Sequence, residues 1–285
     1  MDRPLDDPQK ILLANLPKDI MTNTGNAILG ISLIFACTII GASLVFIFKN
    51  KEISPKLNQV FTGLAAGIML SAAFFSLLVP AIESEISYMP VWAVVGLATA
   101  IGAVFLWGID KIVPHFHAAD EKEEGIKTMS LSRTSKMFLA VTIHNIPEGL
   151  AVGIAYSVAL ASWNDASDSA LWGALILAIG IGVQNIPEGA VVALAIKGET
   201  GSSVKGFLLG VCSGVVEPIA AIIGLFLAMQ IQGVMPWALS FAAGCMIYVV
   251  VEEMIPEIAS EHDHIGVWSF IVGFVLMLAL DCIQF

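Results

Sequence analysis

Two apolar segments carry nearly the same polar hexapeptide: SKMFLAVTIHNIPEGLAVGIAYSVAL (residues 135–160) and ALWGALILAIGIGVQNIPEGAVVALAI (residues 170–196). The hexapeptides are His-Asn-Ile-Pro-Glu-Gly at His144–Gly149 and Gln-Asn-Ile-Pro-Glu-Gly at Gln184–Gly189. Each segment is long enough for a helix that crosses a bilayer, which needs about 20 apolar residues. A carboxylate is costly at that depth unless it is compensated, so a Glu one helical turn after a His or Gln indicates a cation site.

The rest of the chain has the same membrane character. Of its 285 residues, 57% are hydrophobic and 13% are charged, with a mean hydropathy of +0.86, far from the values of a soluble domain. The sequence therefore predicts an all-α polytopic membrane protein. Runs of about 20 apolar residues place eight transmembrane helices at about 27–48, 59–82, 91–112, 135–160, 170–196, 204–230, 235–256 and 265–284.

The distribution of basic residues predicts the orientation of the chain. The loops after the first, third and fifth predicted helices hold ten of the thirteen Lys and Arg residues, so the positive-inside rule places both termini outside. Residues 1–26 then form a short extracytoplasmic tail, and residues 27–285 form one membrane domain. A hydrophilic insertion at about 114–136 becomes a cytosolic loop. We expect a bacterial inner membrane as the location.

Sequence similarity between distant helices predicts an inverted repeat. Leu64-Ala-Ala-Gly-Ile-Met69 in the second helix recurs as Phe241-Ala-Ala-Gly-Cys-Met246 in the seventh. Val79-Pro-Ala-Ile-Glu-Ser-Glu85 recurs as Ile255-Pro-Glu-Ile-Ala-Ser-Glu261, and the second copy is one residue shorter between the two blocks. These helices run in opposite directions, as do the fourth and fifth, which is typical of transporters whose binding site lies between the repeats. Close packing of small residues is the alternative explanation for the similarity.

Helical geometry gathers the polar residues of each hexapeptide on one face. At about 100° per residue, Glu148 lies between His144 and Asn145 around the helix, and the same holds for Glu188 in the second copy. If the two helices face each other, the glutamates bridge two metal ions. Glu217, which precedes Pro218 in the sixth helix, adds a third intramembrane carboxylate.

The prolines of the hexapeptides predict local irregularity. Pro147 and Pro187 remove backbone donors and free the carbonyls of Ile143 and Val183. Kinked, partly unwound helices at this depth expose polar backbone to an ion in transporters. The set of one imidazole with carboxylate and amide oxygens suits Zn²⁺, Cd²⁺, Fe²⁺ or Mn²⁺. The alternative is that His144 and Glu217 are hydrogen-bonded residues of the bundle core.

At these residues the chain resembles the ZIP (Zrt-, Irt-like protein) family of divalent-metal transporters, in particular its prokaryotic-type branch. The duplicated Asn-x-Pro-Glu-Gly signature carries the resemblance, which extends over all eight predicted helices. It implies an eight-helix inverted-repeat fold with a binuclear metal centre. By motif match, the first ion would be held by Met69, His144, Glu148, Gln184 and Glu188. The second would use Asn145, Asn185, the same two glutamates and Glu217.

The resemblance also implies a pathway on either side of the centre. Its outer entrance would include Ser76, Glu83 and Asp281, and its inner exit would include Asp110, His115, His117 and Glu253. One departure from many relatives is Gln184 in place of His, and an amide oxygen binds Zn²⁺ more weakly than imidazole does. Asn185, where some relatives have Asp, removes a charge from the second position.

The leading hypothesis is a transporter that carries divalent metal ions, above all Zn²⁺, into the cytoplasm by alternating access. The ions are its substrate, and neither a catalytic cofactor nor enzymatic activity is expected. A membrane metal sensor and an intramembrane metallohydrolase are the alternatives, although the His-Glu-x-x-His signature of many zinc hydrolases is missing. The expected partners are divalent metal ions and the lipid bilayer, with a homodimer left open and no nucleic acid, since the net charge of −11 gives that no support.

Overall fold

The fold is taken from a computed structural model, which describes residues 18–48, 54–112, 115–116, 123–124, 133–161, 168–230, 233–259 and 264–282. These residues contain eight helices that are long and apolar enough to cross a membrane. The eight predicted helices are thereby confirmed. We number them as spans 1 to 8: Thr24–Phe46, Pro55–Glu83, Val91–Ile112, Phe138–Leu160, Ala170–Thr200, Ser203–Met229, Met235–Ala259 and Ile265–Cys282.

Several spans are built from more than one helical segment. Spans 3, 4, 5 and 8 lie in single α-helices, Val91–Ile112, Arg133–Ala161, Asp168–Thr200 and Ile265–Cys282. Span 1 joins α-helix Lys18–Ser43 to the 3₁₀ turn Leu44–Phe46, and span 6 joins Ser203–Gly214 to Val216–Gln230. Spans 2 and 7 have π-helical turns in their interiors. Their segments are Pro55–Ala72, Ala73–Leu78 (π) and Val79–Glu83, then Met235–Val249, Val250–Met254 (π) and Ile255–Ala259.

Two boundaries differ from the sequence prediction. The first helix begins at Lys18, inside the predicted tail of residues 1–26. The predicted loop at about 114–136 contains two short antiparallel strands, His115–Phe116 and Glu123–Glu124, and Arg133 already belongs to the next helix. Hydropathy alone gave no signal for these features, because a helix end can extend into water and a two-residue ladder has no periodicity to detect.

The helices of spans 4 and 5 continue through Pro147 and Pro187. The predicted local unwinding is therefore absent from both described helices. Neighbouring helices can hold a proline-containing helix in register inside a bundle, and these two spans are among the most enclosed, with 56% and 67% of their apolar windows buried. Span 6 is interrupted instead, at Val215. The cause is Pro218, which has no N–H to donate to the carbonyl of Gly214.

The π-helical turns account for the length difference between the repeated blocks of spans 2 and 7. The first turn contains six residues, Ala73–Leu78, and the second contains five, Val250–Met254. Each turn is followed by a short α-helix with proline at its second position, Val79–Glu83 or Ile255–Ala259. The extra residue of span 2 is thus absorbed in the π turn, and the Pro-containing segments remain equivalent.

Helix pairing follows the predicted inverted repeat. Span 1 packs along span 5, and span 6 packs along span 4 through its second half. Span 2 packs along span 8, and span 7 packs along span 3. The repeat makes span 1 equivalent to span 6, span 2 to span 7, span 3 to span 8 and span 4 to span 5. Under this exchange, the pair of spans 1 and 5 becomes the pair of spans 6 and 4, and the pair of spans 2 and 8 becomes the pair of spans 7 and 3. The equivalent spans run in opposite directions, because successive spans alternate.

The repeat extends to individual backbone contacts. A Cβ at Gly67 of span 2 would collide with the carbonyl of Phe270 in span 8, and a Cβ at Gly244 would collide in the same way with that of Thr99. The reciprocal contacts are also paired: Gly273 lies on the carbonyl of Leu64, and Gly102 lies on that of Phe241. Glycines at these crossings let the helix backbones touch. Membrane helices associate through such close contacts, because lipid is as apolar as their surfaces and no hydrophobic effect drives them together.

Burial places span 5 at the centre and spans 3 and 8 at the edge. Of its apolar window, span 5 has 67% buried, whereas spans 3 and 8 have 22%. The exposed side chains of the outer spans are large and apolar, as lipid contact requires. They include Trp92, Phe105 and Trp268. The hexapeptides of spans 4 and 5 are consequently enclosed by the other helices.

We predict that Gly102→Ala destabilises the folded protein by about 1–3 kcal/mol, because the added methyl overlaps the Phe241 carbonyl and forces spans 3 and 7 apart. Thermal unfolding of the purified protein in detergent measures the effect. Gly96→Ala, in the same helix but with open space around its Cβ position, is the matched control and should leave the midpoint equal or higher. Equal midpoints for the two variants would contradict the close packing described here.

Candidate metal centre

A network of buried hydrogen bonds joins the polar residues of spans 4, 5 and 6. The side-chain amide of Gln184 in span 5 donates to Oε1 of Glu148 in span 4. Asn145 donates from Nδ2 to Oε1 of Glu217 at 2.9 Å, and Asn185 donates to Oε2 of Glu217 at 2.7 Å. All five of these residues are at most 1% exposed. The structure therefore brings both hexapeptides and Glu217 to one place.

Glu217 is the most completely hydrogen-bonded carboxylate of this network. Besides the two asparagines, the hydroxyl of Thr38 in span 1 donates to its Oε1 at 3.0 Å. Asn145 and Asn185 are themselves fixed by the backbone carbonyls of Ser213 and Ile34, at 3.0 and 3.2 Å. Both oxygens of Glu217 thus have donors within the protein.

The other oxygens of the centre are buried without a donor. An amide oxygen or an ionised carboxylate oxygen accepts hydrogen bonds and cannot donate one, so each of these atoms needs a donor or a cation. Each buried unpaired acceptor costs about 1–3 kcal/mol, and a cation coordinated by several of them would remove that cost. The atoms concerned are Asn145 Oδ1, Glu148 Oε2, Gln184 Oε1, Asn185 Oδ1 and Glu188 Oε2.

No group of three His, Cys, Asp or Glu side chains in the described part of the chain is close enough to form a ready-made metal cluster. The hydrogen bonds explain this. Amide groups of Gln184 and Asn185 lie against Glu148 and Glu217 and occupy carboxylate oxygens that a cation would use. The predicted two-ion arrangement is therefore not preformed, and it stays a prediction.

His144 pairs with a carboxylate that lies outside the two hexapeptides. Its Nε2 lies 2.6 Å from Oε1 of Glu253, in the π-helical turn of span 7. Both side chains are partly accessible, at 13% and 15%. The sequence motif placed His144 near Glu148 on the helix surface but could not reveal this partner. Met69, the remaining residue of the predicted set, is buried in the hydrophobic core of span 2.

The predicted outer residues are only partly gathered. The Ser76 hydroxyl donates to Oδ1 of Asp281 at 2.8 Å, which ties span 2 to span 8. Asp281 is 4% exposed, and its Oδ2 is buried without a hydrogen bond. Glu83, at the end of span 2, is exposed to the surroundings. The entrance residues thus divide into one hydrogen-bonded pair, of which Asp281 is buried, and one surface carboxylate.

On the predicted inner side, Asp110 is buried at the end of span 3 and interacts with the Tyr248 hydroxyl of span 7. Glu253 is the partner of His144. His115 is described only as part of a short strand, without its side chain, and His117 lies outside the described residues. Asp110 and Asp281 occupy equivalent positions of the repeat. Their residue numbers differ by the same amount as those of the equivalent pairs Gly102 and Gly273, and Thr99 and Phe270.

The sequence analysis missed Thr38. A single hydroxyl in a long apolar run costs little and is common in membrane helices, so hydropathy does not distinguish it. Asn58, which donates to Oε1 of Glu257 one turn beyond Glu253, was also missed. Thr38 could have been found from the sequence by aligning span 1 with span 6. The side chains of these two spans are too dissimilar for that alignment to be made without the structure.

Comparison with known proteins agrees with this architecture. A family model described as ZIP Zinc transporter matches residues 25–137 and 121–281. Zinc transporter ZIP11 of Homo sapiens is 30% identical and the match covers 90% of this chain and 96% of that protein. Zinc transporter GufA of Myxococcus xanthus is 33% identical, over 87% and 95% of the two chains. Zinc transporter ZIPB of Bordetella bronchiseptica is 31% identical, over 91% and 81%.

We predict that Cd²⁺ or Zn²⁺ raises the thermal stability of the purified protein, because ions satisfy the unpaired oxygens only in the folded state. At a concentration 100 times the dissociation constant, the added stability is about 2.7 kcal/mol. Glu148→Gln removes one charged ligand and should reduce the shift to less than half, whereas Glu85→Gln, in the exposed loop after span 2, should leave it unchanged. Equal shifts in the two variants would exclude Glu148 as a ligand.

Proposed function

The chain belongs to the ZIP zinc transporter family and transports divalent metal ions, and we propose that its substrate is Zn²⁺, carried into the cytoplasm through the centre between spans 4, 5 and 6. The observation that carries this proposal is the set of five buried oxygens without donors, contributed by both hexapeptides. Oxygen ligands in this number, with one imidazole nearby, suit divalent ions of the Zn²⁺ type. Cd²⁺, Fe²⁺ and Mn²⁺ are further candidate substrates.

Two ion positions follow from the ligand chemistry. His144 would bind the first ion after leaving Glu253, and its imidazole is the strongest neutral ligand of the set. Gln184 and Asn185 would turn their amide oxygens toward the ions. We assign Met69, His144, Glu148, Gln184 and Glu188 to the first ion, and Asn145, Asn185, Glu148, Glu188 and Glu217 to the second.

The pathway would run from the pair Ser76 and Asp281 through the centre to Glu253 and Asp110. Asp281 has a buried oxygen without a donor, which supports a transient ion contact on the outer side. Glu83 would attract ions at the outer surface, because it is exposed and charged. His115 and His117 would receive the ion at the inner end. His144 links the two stages, since it belongs to the first position and already contacts Glu253.

The driving force would come from the gradients of the ion and of charge. Moving one elementary charge through 100 mV contributes about 2.3 kcal/mol, so a divalent ion gains about twice that amount when the cytoplasm is negative. The sequence has no Gly-x-x-x-x-Gly-Lys-Ser/Thr pattern for ATP. Exchange against protons on Glu148, Glu188 and Glu217 is the alternative coupling.

Transport distinguishes this protein from the two alternatives of the sequence analysis. The relatives are named as transporters, and neither a metal sensor nor a metallohydrolase is favoured. The chain is an integral membrane protein. We propose the bacterial inner membrane as its location, with both termini outside, because the basic residues are concentrated in the loops after spans 1, 3 and 5. A homodimer stays a prediction.

We predict that Glu148→Ala and Glu188→Ala abolish metal uptake while membrane insertion is unchanged. Each variant deletes a carboxylate that would contact both ions. Uptake of Zn²⁺ and Cd²⁺ into proteoliposomes that contain the purified protein, followed with a metal-sensitive dye, measures the effect, and Glu85→Ala serves as the control. Normal uptake by both variants would refute the binuclear assignment.

We further predict that Gln184→His raises the affinity for Zn²⁺, because imidazole binds Zn²⁺ more strongly than an amide oxygen does. The substitution also removes the amide that donates to Glu148, which frees that carboxylate for the ion. Titration of the purified protein with Zn²⁺ measures the dissociation constant. An unchanged or lower affinity would mean that this side chain does not coordinate the ion.

A further inference from the structure

Span 1 reaches the metal centre through the hydroxyl of Thr38. Thr38 is 2% exposed, and its hydroxyl lies 3.0 Å from Oε1 of Glu217. The same hydroxyl is 3.4 Å from the carbonyl of Ile34, one turn earlier in its own helix. A hydroxyl has one proton to donate, and the nearer, charged acceptor forms the stronger bond. The bond to Glu217 is therefore the dominant one.

The backbone around Thr38 repeats the backbone around Glu217. A Cβ at Gly149 of the first hexapeptide would collide with the carbonyl of Glu217 in span 6. A Cβ at Gly189, the equivalent glycine of the second hexapeptide, would lie 2.6 Å from the carbonyl of Thr38 in span 1. Because the two hexapeptides are the repeated elements, Thr38 takes in span 1 the position that Glu217 takes in span 6.

A second glycine fixes the side chain of Thr38 itself. The Cβ position of Gly214 is occupied by Thr38, whose Cγ2 and Oγ1 would lie 2.6 and 3.1 Å from an added methyl. Gly214 belongs to the last turn before the break of span 6, close to Glu217 along the chain. Span 1 is thus held between spans 5 and 6 with its hydroxyl directed at one carboxylate oxygen.

We propose that Thr38 is a positioning residue of the metal centre, the span 1 counterpart of Glu217, which fixes Glu217 so that a divalent cation meets its carboxylate in one orientation. The inference rests on the transport function proposed above, and it assigns to span 1 a role in ion binding that the hexapeptides do not include. Thr38 acts through Glu217 and need not touch the ion.

The chemistry of a hydroxyl suits this position better than a second carboxylate would. Thr38 and Glu217 are pseudo-symmetric partners in direct contact, so two carboxylates here would repel each other at about 3 Å, where like charges cannot both stay ionised. A donor from span 1 instead stabilises the single charge of Glu217. The hydrogen-bonding partners of metal ligands typically change metal affinity or activity by about 10- to 100-fold when they are removed.

The experiment compares two pairs of variants that differ only in the hydroxyl: the wild type with Thr38→Val, and Thr38→Ser with Thr38→Ala. Zn²⁺ is titrated into each purified protein, and Zn²⁺ uptake into proteoliposomes gives KM and kcat. We expect loss of the hydroxyl to weaken Zn²⁺ binding by about 10- to 100-fold and to act on KM more than on kcat. Thr38→Ser should stay within about threefold of the wild type, since it retains the donor.

Two controls separate positioning from packing. Thr99→Val removes a hydroxyl that bonds to the carbonyl of Val95 in its own helix, span 3, and it should leave Zn²⁺ affinity unchanged. In a Glu217→Ala background, which removes the acceptor of the Thr38 hydroxyl, Thr38→Val should have little additional effect on Zn²⁺ affinity, because the two residues act as one unit. Thermal unfolding of every variant establishes that it is folded.

The outcomes are distinct. Equal Zn²⁺ affinity in the serine and alanine variants would overturn the proposal even if Thr38→Val fails to fold, because both substitutions leave the same space where the methyl was. An undiminished effect of Thr38→Val in the Glu217→Ala background would also overturn it. Failure of the wild type to bind or take up Zn²⁺ would instead refute the proposed function. A wild type that transports normally, with no effect at Thr38, would refute only the role of span 1.

Discussion

The structure depends on one electrostatic requirement: three carboxylates lie in the middle of apolar helices, and each has to be stabilised by protein donors or by a cation. The three differ in how far the protein meets this requirement. Glu217 has three side-chain donors, from Thr38, Asn145 and Asn185. Glu148 has one, from Gln184, and one oxygen of Glu188 is buried without any. The centre thus combines one carboxylate with donors on both oxygens and two carboxylates that each keep a buried oxygen without a donor.

Close helix packing is what makes that combination sufficiently rigid. Lipid is as apolar as the helix surfaces, so the helices associate by backbone contact at small residues instead of by burial of large ones. Gly149 and Gly189 are the best examples, because each follows a glutamate of the centre and touches the backbone of another helix, span 6 for Gly149 and span 1 for Gly189. These two glycines therefore bring spans 6 and 1 into backbone contact with the hexapeptides.

The sequence predicted what hydropathy and periodicity can encode. The eight spans and the opposed repeats of spans 2 and 7 follow from patterns of residue type. The partner of His144 and the role of Thr38 did not follow, since both depend on which helices face each other. The π-helical turns and the straight passage of the helices through Pro147 and Pro187 were equally inaccessible, because tertiary packing selects the hydrogen-bond register.

The symmetry of the backbone and the asymmetry of the side chains have different consequences. If the repeats were identical in chemistry, an ion would meet the same ligands from either face of the membrane. The backbone contacts are equivalent, yet His144 is matched by Gln184, and Glu217 is matched by Thr38. The imidazole contacts Glu253 in span 7, whereas its amide counterpart contacts Glu148 within the centre. Differences in how the two faces hold an ion therefore come from these side chains and from the break of span 6 at Val215, since span 1 continues unbroken from Lys18 to Ser43 past Thr38.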